Sequence, residues 1–346
     1  MVRALYLLGL LGPAGLSQAA RLLGRVNPAT RQLTWPGTGL SFTFTGTSAS
    51  VGIEAIHGTN SVQLVIDDKT PIIIANVNGT NISTGTLAKG KHTVELRKRS
   101  EASFGDFTLG KVTVVGGALE ADKPASRRIQ LIGDSITVGY GLDGALPCTN
   151  TAALEDAPRT YGALTARNLS ADYDIVAWSG IGVTRNYMST TVDTSPVMPK
   201  RWTHYGTNDA DNSYTFPAAD TPDVVVINLG TNDFSYQGVR AALNLTTFTS
   251  AYTAFAKTVQ GHYPAAEFFL TSSPLLSDSY PTVADAQHTS LANAAKAVVA
   301  ALGKKAHFVD FPPQGSDVGC DYHPNANEHG IMASLLTPAI KNALRW

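Results

Sequence analysis

The chain is poor in charge and in cysteine. Lys, Arg, Asp and Glu make up 15 % of its 346 residues, against the roughly 25 % usual in soluble domains. Its 26 basic residues nearly balance 27 acidic ones, for a net charge of −1. With no basic run to follow a phosphate backbone, a nucleic-acid partner held by charge is excluded. Two cysteines are too few for a disulfide-built scaffold or a cysteine-rich zinc site. No apolar run reaches the ~20 residues that a membrane helix needs. The eight histidines show no His-Glu-x-x-His or similar ligand spacing, which argues against a histidine-built metal site; no cofactor is expected.

What is present begins with an export signal. Residues 1–20 read as a signal peptide: Arg3 is the positive start, Leu5 to Leu11 the short apolar stretch, and Ser17, Ala19 and Ala20 the small residues of a cleavage site. Gly12-Pro13 breaks the apolar stretch, which argues against an anchor. The expectation is a secreted, extracellular protein with no membrane association after cleavage. Four Asn-x-Ser/Thr sequons, at Asn78, Asn81, Asn168 and Asn244, are candidate glycan sites on that route. Outside the cell, Cys148 and Cys320 most simply pair with each other.

Two textures divide the rest. From about residue 27 to 115 apolar and polar residues alternate, as in Leu40-Ser41-Phe42-Thr43-Phe44-Thr45 and Thr93-Val94-Glu95-Leu96-Arg97. Gly-, Asn- and Asp-rich turns separate these runs. The pattern predicts short antiparallel strands in an N-terminal β-sandwich of jelly-roll type over 21–117. A polar, Pro-containing linker is expected at 118–126. Beyond it, over 127–346, apolar strand-like runs at 128–132, 173–177, 224–229, 267–270 and 306–310 alternate with helix-length segments, among them 247–259, 291–302 and 328–344. Such alternation predicts an α/β domain with a parallel sheet and crossover helices.

Ligands of open parallel sheets bind beyond the carboxyl ends of the strands. After the first strand stands Gly133-Asp134-Ser135, after the second Ser179-Gly180-Ile181-Gly182, after the third Gly230-Thr231-Asn232-Asp233, and after the last, past a loop, Asp321-Tyr322-His323-Pro324. A hydroxyl, a glycine backbone, an amide and an imidazole thus converge on one edge. Acyl transfer from an ester needs this set: a nucleophile, a base for its proton and donors facing the developing oxyanion. Singly each has an ordinary explanation. Ser135 suits a helix N-cap, Asn232 an Asx turn, and His323 a polar residue packed beside Pro324. Four of them at strand ends, in this order, argue for catalysis.

Together the four blocks resemble those of the SGNH, or GDSL, hydrolases. A jelly-roll module in front and Cys-Asp-Tyr-His-Pro-Asn near the end resemble carbohydrate esterase family two, acetyl xylan esterase type. The resemblance implies a flavodoxin-like three-layer hydrolase domain and a metal-free serine esterase. It would remove O-acetyl groups from plant cell-wall polysaccharides such as xylan and mannan. By position, Ser135 is the nucleophile and His323 the base. The oxyanion hole is made by the Ser135 and Gly180 backbone N–H groups and the Asn232 amide, with Gly182 as the alternative to Gly180. Most SGNH enzymes place the catalytic acid three residues before the histidine, where this chain has Cys320. Asp321 at i−2 would reach the imidazole in an extended segment; otherwise a backbone carbonyl orients it and the site is a dyad. Asp134 and Asp233 read as turn and cap residues, and His329 as a weaker candidate base. A Cys148–Cys320 bridge would tie the two catalytic loops together.

Trp178 and Tyr322 are candidate sugar-stacking residues, with Tyr140, Tyr187, Trp202 and Tyr205 as other nearby aromatics. The long segment from Met188 to Asp220 is expected to shape the cleft. The expected partner is an acetylated polysaccharide, and a monomer is expected. Two other functions remain open at this stage: an SGNH lipase or lysophospholipase, and a non-catalytic carbohydrate-binding protein.

Overall fold

The computed structural model describes residues 19–188, 190–206, 213–236 and 239–346. The export signal expected at 1–20 lies outside the described residues up to Gln18. Ala20 already opens the first strand.

The N-terminal part is all β. Its strands are β1 (Ala20–Leu23), β2 (Gln32–Leu33), β3 (Gly39–Gly46), β4 (Ser48–Gly58), β5 (Val62–Ile66), β6 (Ile72–Ile74), β7 (Asn81–Ser83), β8 (Gly90–Lys98), β9 (Gly105–Val115) and β10 (Ala118–Glu120). One antiparallel sheet runs β1-β3-β8-β5-β6, with β10 also on β3; the other runs β2-β9-β4-β7. In β3 Leu40, Phe42 and Phe44 are buried as the period-two reading expects, with Ser41 half-buried and Thr45 exposed, although Thr43 between them is buried too. The three apolar side chains meet Val51, Leu64, Val94, Leu96, Phe107 and Leu109 in one core. The linker boundary moves. Ala118–Glu120 pairs with Thr43–Thr45 as β10, because its backbone groups find a partner on the open flank of β3. The first three residues of the stretch expected as linker are thus a strand.

The second domain has five parallel strands, β11 (Arg128–Gly133), β12 (Asp172–Ala177), β13 (Val224–Asn228), β14 (Glu267–Thr271) and β15 (Ala306–Val309), in the order β12-β11-β13-β14-β15. Helices α1 (Ser135–Val138), α2 (Tyr161–Asn168), α3 (Met198–Arg201), α4 (Leu245–His262), α5 (Gln287–Leu302) and α6 (Ala326–Leu344) connect them. Phe248, Tyr252, Leu291 and Val298 of α4 and α5 cover one face of the sheet. Tyr161 and Ala163 of α2 and Leu336 and Ile340 of α6 cover the other. Every residue of β13 is buried, as a strand with helices on both faces requires. This is the flavodoxin-like order. Its direction reverses at β11, which places the crevice of the switch point at the ends of β11 and β13.

The two domains share buried charge. The Arg97 guanidinium stacks 3.9 Å from the Tyr173 ring. Arg99 pairs with Asp143 and, at 3.2 Å, with Asp156. Arg25 donates to the Trp202 carbonyl and lies 3.8 Å over the Tyr214 ring. The segment that leaves β8 is thereby set into the catalytic domain.

Candidate active site

Gly133 ends β11, and a Cβ there would stand 1.9 Å from Thr137 Oγ1. The glycine lets the chain turn sharply into α1. Asp134, not Ser135, is the N-cap: its Oδ1 accepts the Ile136 N–H at 3.1 Å. Ser135 is thus the first residue of a short helix, 5 % exposed, with its hydroxyl at the crevice. Its Oγ lies 2.9 Å from His323 Nε2. The other ring nitrogen, Nδ1, lies 3.1 Å from the carbonyl oxygen of Asp321. With a carbonyl as its partner, Nδ1 carries the proton and Nε2 accepts from serine, the tautomer a general base needs.

The carboxylate of Asp321 does not reach the imidazole. Its Oδ2 accepts the Tyr140 hydroxyl at 3.0 Å and the Asn150 N–H at 2.9 Å. The expectation of an acid at Asp321 assumed an extended segment. Cys320–Tyr322 is instead a 3₁₀ turn in which Asp321 and Tyr322 have φ of 51° and 64°. The turn swings the side chain away and brings the main-chain carbonyl to the ring. Burial lowers the His323 pKa to about 4; the Asp321 carbonyl and, through space, the Asp321 carboxylate oppose that shift without cancelling it. The Tyr140 ring lies over the imidazole, centroids 4.2 Å apart.

A cavity of about 890 Å³ opens over this pair, and Ser135, Gly180, Asn232, Asp321 and His323 all line it. Gly180 has φ +78°, which an L side chain rarely adopts. Gly182 does not line the cavity, and its N–H goes to Asn186 Oδ1 at 3.2 Å. Of the two glycines, Gly180 is the one on the cavity wall. The Asn232 amide donates to Ile181 O at 3.0 Å and to Asp134 Oδ2 at 3.3 Å, and so spans the loops after the first three strands. Burial pushes the Asp134 carboxyl up to about 7. Asp233 accepts from the N–H groups of Val183, Thr184 and Arg185 at 2.8, 2.7 and 3.1 Å, and so shapes the Gly180 loop. Both aspartates hold turns, as read from the sequence.

His329 is not at the site. It is fully buried, its Nδ1 accepts the Tyr161 N–H at 3.1 Å, and burial lowers its pKa to about 3. Cys148 and Cys320 are joined, across 172 residues of sequence. Main-chain bonds from Cys320 N to Gly141 O and from Asp321 N to Cys148 O flank the bridge, at 3.1 and 3.0 Å. The histidine loop is thus fastened to the loop that follows α1. Among the described residues, no group of three or more His, Cys, Asp or Glu could hold a metal ion, and no helix is long and apolar enough to cross a membrane.

The stacking candidates fare differently. Trp178 does not line the cavity; it packs edge-on to Trp35 and under Arg201, at 6.5 and 4.2 Å, beside the domain interface. An indole that size is drawn into the apolar junction. Tyr322 is 67 % exposed and also absent from the lining. Trp202 and Tyr205 are buried. Tyr140 and Tyr187 do line the cavity. The described part of 188–220 contributes nothing to the wall: Met188, Met198 and Trp202 go into the core. The polar run Thr207 to Asn212 lies outside the described residues. The opposite wall is Phe234, Tyr236, Leu275, Leu276, Tyr280 and Gln287. Four of these six follow β14, the one strand end left unread in the sequence; the strand-end rule itself would have found them.

Comparison with known proteins agrees with this two-domain architecture. Residues 22–124 match the family described as carbohydrate esterase 2 N-terminal, and residues 131–331 match the GDSL-like lipase/acylhydrolase family. The chain belongs to carbohydrate esterase family two. It is a carboxylic ester hydrolase by that membership. A solved family-two enzyme with a carbohydrate-binding domain, from Corynascus thermopiles (Myceliophthora fergusii), is 58 % identical, with a TM-score of 0.92 over 94 % of this chain and 100 % of that one. A family-two esterase from Clostridium thermocellum, solved with cellohexaose, is 34 % identical, with a TM-score of 0.83 over 94 % of this chain and 99 % of that one. An acetylxylan esterase/glucomannan deacetylase of Cellvibrio japonicus is 32 % identical over 89 % of this family-two chain and 85 % of its own length. Cellulase/esterase CelE of Acetivibrio thermocellus is 35 % identical over 92 % of this chain, which spans 38 % of CelE.

Proposed function

We propose that this family-two esterase is a secreted enzyme that removes O-acetyl groups from xylan or mannan through an acyl-enzyme on Ser135. The observation that carries the reading is the 2.9 Å contact between Ser135 Oγ and His323 Nε2 at the floor of the cavity. His323 takes the serine proton as Oγ attacks the acetyl carbonyl, then returns it to the departing sugar hydroxyl. Water repeats the cycle to free acetate and Ser135. The N–H groups of Ser135 and Gly180 and the Asn232 amide receive the oxyanion, the amide giving up its longer bond to Asp134. No acid completes a triad; the Asp321 carbonyl orients the ring.

The polysaccharide substrate is supported by the relative named a glucomannan deacetylase and by the neighbour solved with cellohexaose. Tyr187 and Tyr280, 46 % and 68 % exposed on the cavity wall, are the rings open to a pyranose face. Export is supported by the disulfide. The test is acetate release from acetylated xylan and glucomannan with EDTA present. Wild type releases acetate and Ser135→Ala releases none; release by Ser135→Ala at the wild-type rate would overturn the reading. The apolar wall of Phe234, Leu275 and Leu276 favours one rival, a longer-chain esterase. A preference for octanoyl over acetyl p-nitrophenyl esters would establish it.

A further inference from the structure

Four buried side chains outside the cavity form a polar cluster that the reaction does not yet use. Lys98 and Glu101 come from the β-domain, where the chain leaves β8; Asn150 and Glu155 come from the loop after α1. All four are buried. Lys98 Nζ donates to the carbonyl oxygens of Ser100 and Glu101, at 2.7 and 3.0 Å, and fixes the turn that carries Glu101. Glu155 accepts the Glu101 N–H at 2.6 Å on one oxygen and the Asn150 amide at 2.8 Å on the other.

Two lines of hydrogen bonds run from this cluster to the site. The Ser179 N–H donates to Glu101 Oε2 at 2.8 Å. The next residue is Gly180, on the oxyanion side of the cavity. On the other line, Asn150 Oδ1 accepts the Gly141 N–H at 2.9 Å, and the Asn150 N–H donates to Asp321 Oδ2 at 2.9 Å. Asp321 is the residue whose carbonyl faces His323. We propose that Glu101, supplied by the N-terminal β-domain, is a positioning residue for ester hydrolysis: its carboxylate fixes the Ser179–Gly180 main chain, while its main-chain N–H is tied through Glu155 and Asn150 to the loop that aims His323.

The chemistry of the cluster suits this role. Two carboxyl groups buried beside one ammonium are a poor device for stability alone, since desolvation offsets most of their attraction. Burial raises the carboxyl pKa values of Glu101 and Glu155 and lowers that of Lys98 to about 8. A site that keeps such groups dry gains rigid, directed acceptors in a place where loose main chain would blur the oxyanion geometry. The β-domain is then a part of the active site, not an appendage to it.

The inference rests on the serine-esterase reading, and a Ser135→Ala control measured in parallel tells the two apart. The full chain is assayed on an acetyl ester, with melting temperature and the inhibition constant of phenylboronic acid, whose tetrahedral serine adduct occupies the oxyanion site. Glu101→Ala is expected to lower kcat about 100-fold with KM within about twofold, and to weaken the boronate by a similar factor. Glu101→Gln keeps an acceptor for Ser179 and is expected to recover most of kcat. Glu101→Asp keeps the charge but draws the acceptor back by one methylene; it replaces the alanine variant should that not fold, with a loss of about tenfold expected. Folded Glu101→Ala or Glu101→Asp with kcat and boronate affinity within threefold of wild type would overturn the inference. So would a loss confined to melting temperature. Activity surviving in Ser135→Ala would instead overturn the esterase reading.

Discussion

The carbonyl oxygen of Asp321 stands 3.1 Å from Nδ1 of His323, while the carboxylate of the same residue turns to Tyr140 and Asn150. One residue therefore serves the base with its backbone and anchors its own loop with its side chain. A carbonyl orients the imidazole and selects its tautomer but carries no full charge to stabilise the imidazolium. The consequence is a division of labour that substitution can separate.

Asp321→Asn is expected to leave kcat within about tenfold of wild type, because asparagine tolerates the left-handed backbone at φ 51° and still offers an oxygen to Asn150 N–H. Loss of a true triad aspartate costs about 10⁴-fold. Steady-state kinetics on an acetyl ester decide between them; a loss of several orders of magnitude at unchanged KM would return the negative charge to the mechanism.

The pH profile follows from the same environment. His323 works as a base only when neutral. Its ordinary pKa is 6.5, and burial lowers it to about 4. Activity depends on the deprotonated form, so kcat/KM is expected to stay flat from neutrality down through pH 6 and to fall as pH drops through about 4. An inflection near 6.5 in the kcat/KM profile of the free enzyme would mean that the ring is more solvated than the structure shows.

Tyr140 touches the histidine loop twice, by its ring on His323 and by its hydroxyl on Asp321. Tyr140→Phe keeps the ring and removes only the hydroxyl, so kcat is expected to fall less than about fivefold. Tyr140→Ala opens the space above the imidazole and admits water. It is expected to lower kcat by about tenfold or more and to move the acid inflection upward, toward the ordinary histidine value. Equal kinetics and equal inflections for the two variants would contradict a packing role for the ring.

The architecture was legible because its signals are periodic or punctual. Period-two alternation marked the sandwich, apolar runs at β-α spacing marked the parallel sheet, and strand-end residues marked Ser135, Gly180, Asn232 and His323. What stayed hidden depends on torsions and on long-range burial. The sequence Cys320-Asp321-Tyr322-His323 says nothing of the positive φ values that turn the Asp321 side chain away. Trp178 reads as an exposed platform until the β-domain supplies Trp35 to cover it. Lys98-Arg99-Ser100-Glu101 carries three charged side chains, yet all four residues are buried. Such contacts between parts far apart in the chain leave no local pattern.

The disulfide offers a test that separates stability from geometry. Closing a 172-residue loop restricts the unfolded chain, and removal of a native bridge typically costs about 2–5 kcal/mol. The folded histidine loop has other ties, from Cys320 N to Gly141 O, from Asp321 N to Cys148 O and from Asn150 N to Asp321 Oδ2. These bonds do not need the sulfurs. The double variant Cys148→Ser, Cys320→Ser is therefore expected to unfold at markedly lower denaturant concentration, yet to keep kcat within about tenfold at a temperature where it is folded. Urea titration beside steady-state kinetics reads both. A drop of several orders of magnitude in kcat with the fold intact would show that the sulfur bridge, not the hydrogen bonds, sets the position of His323.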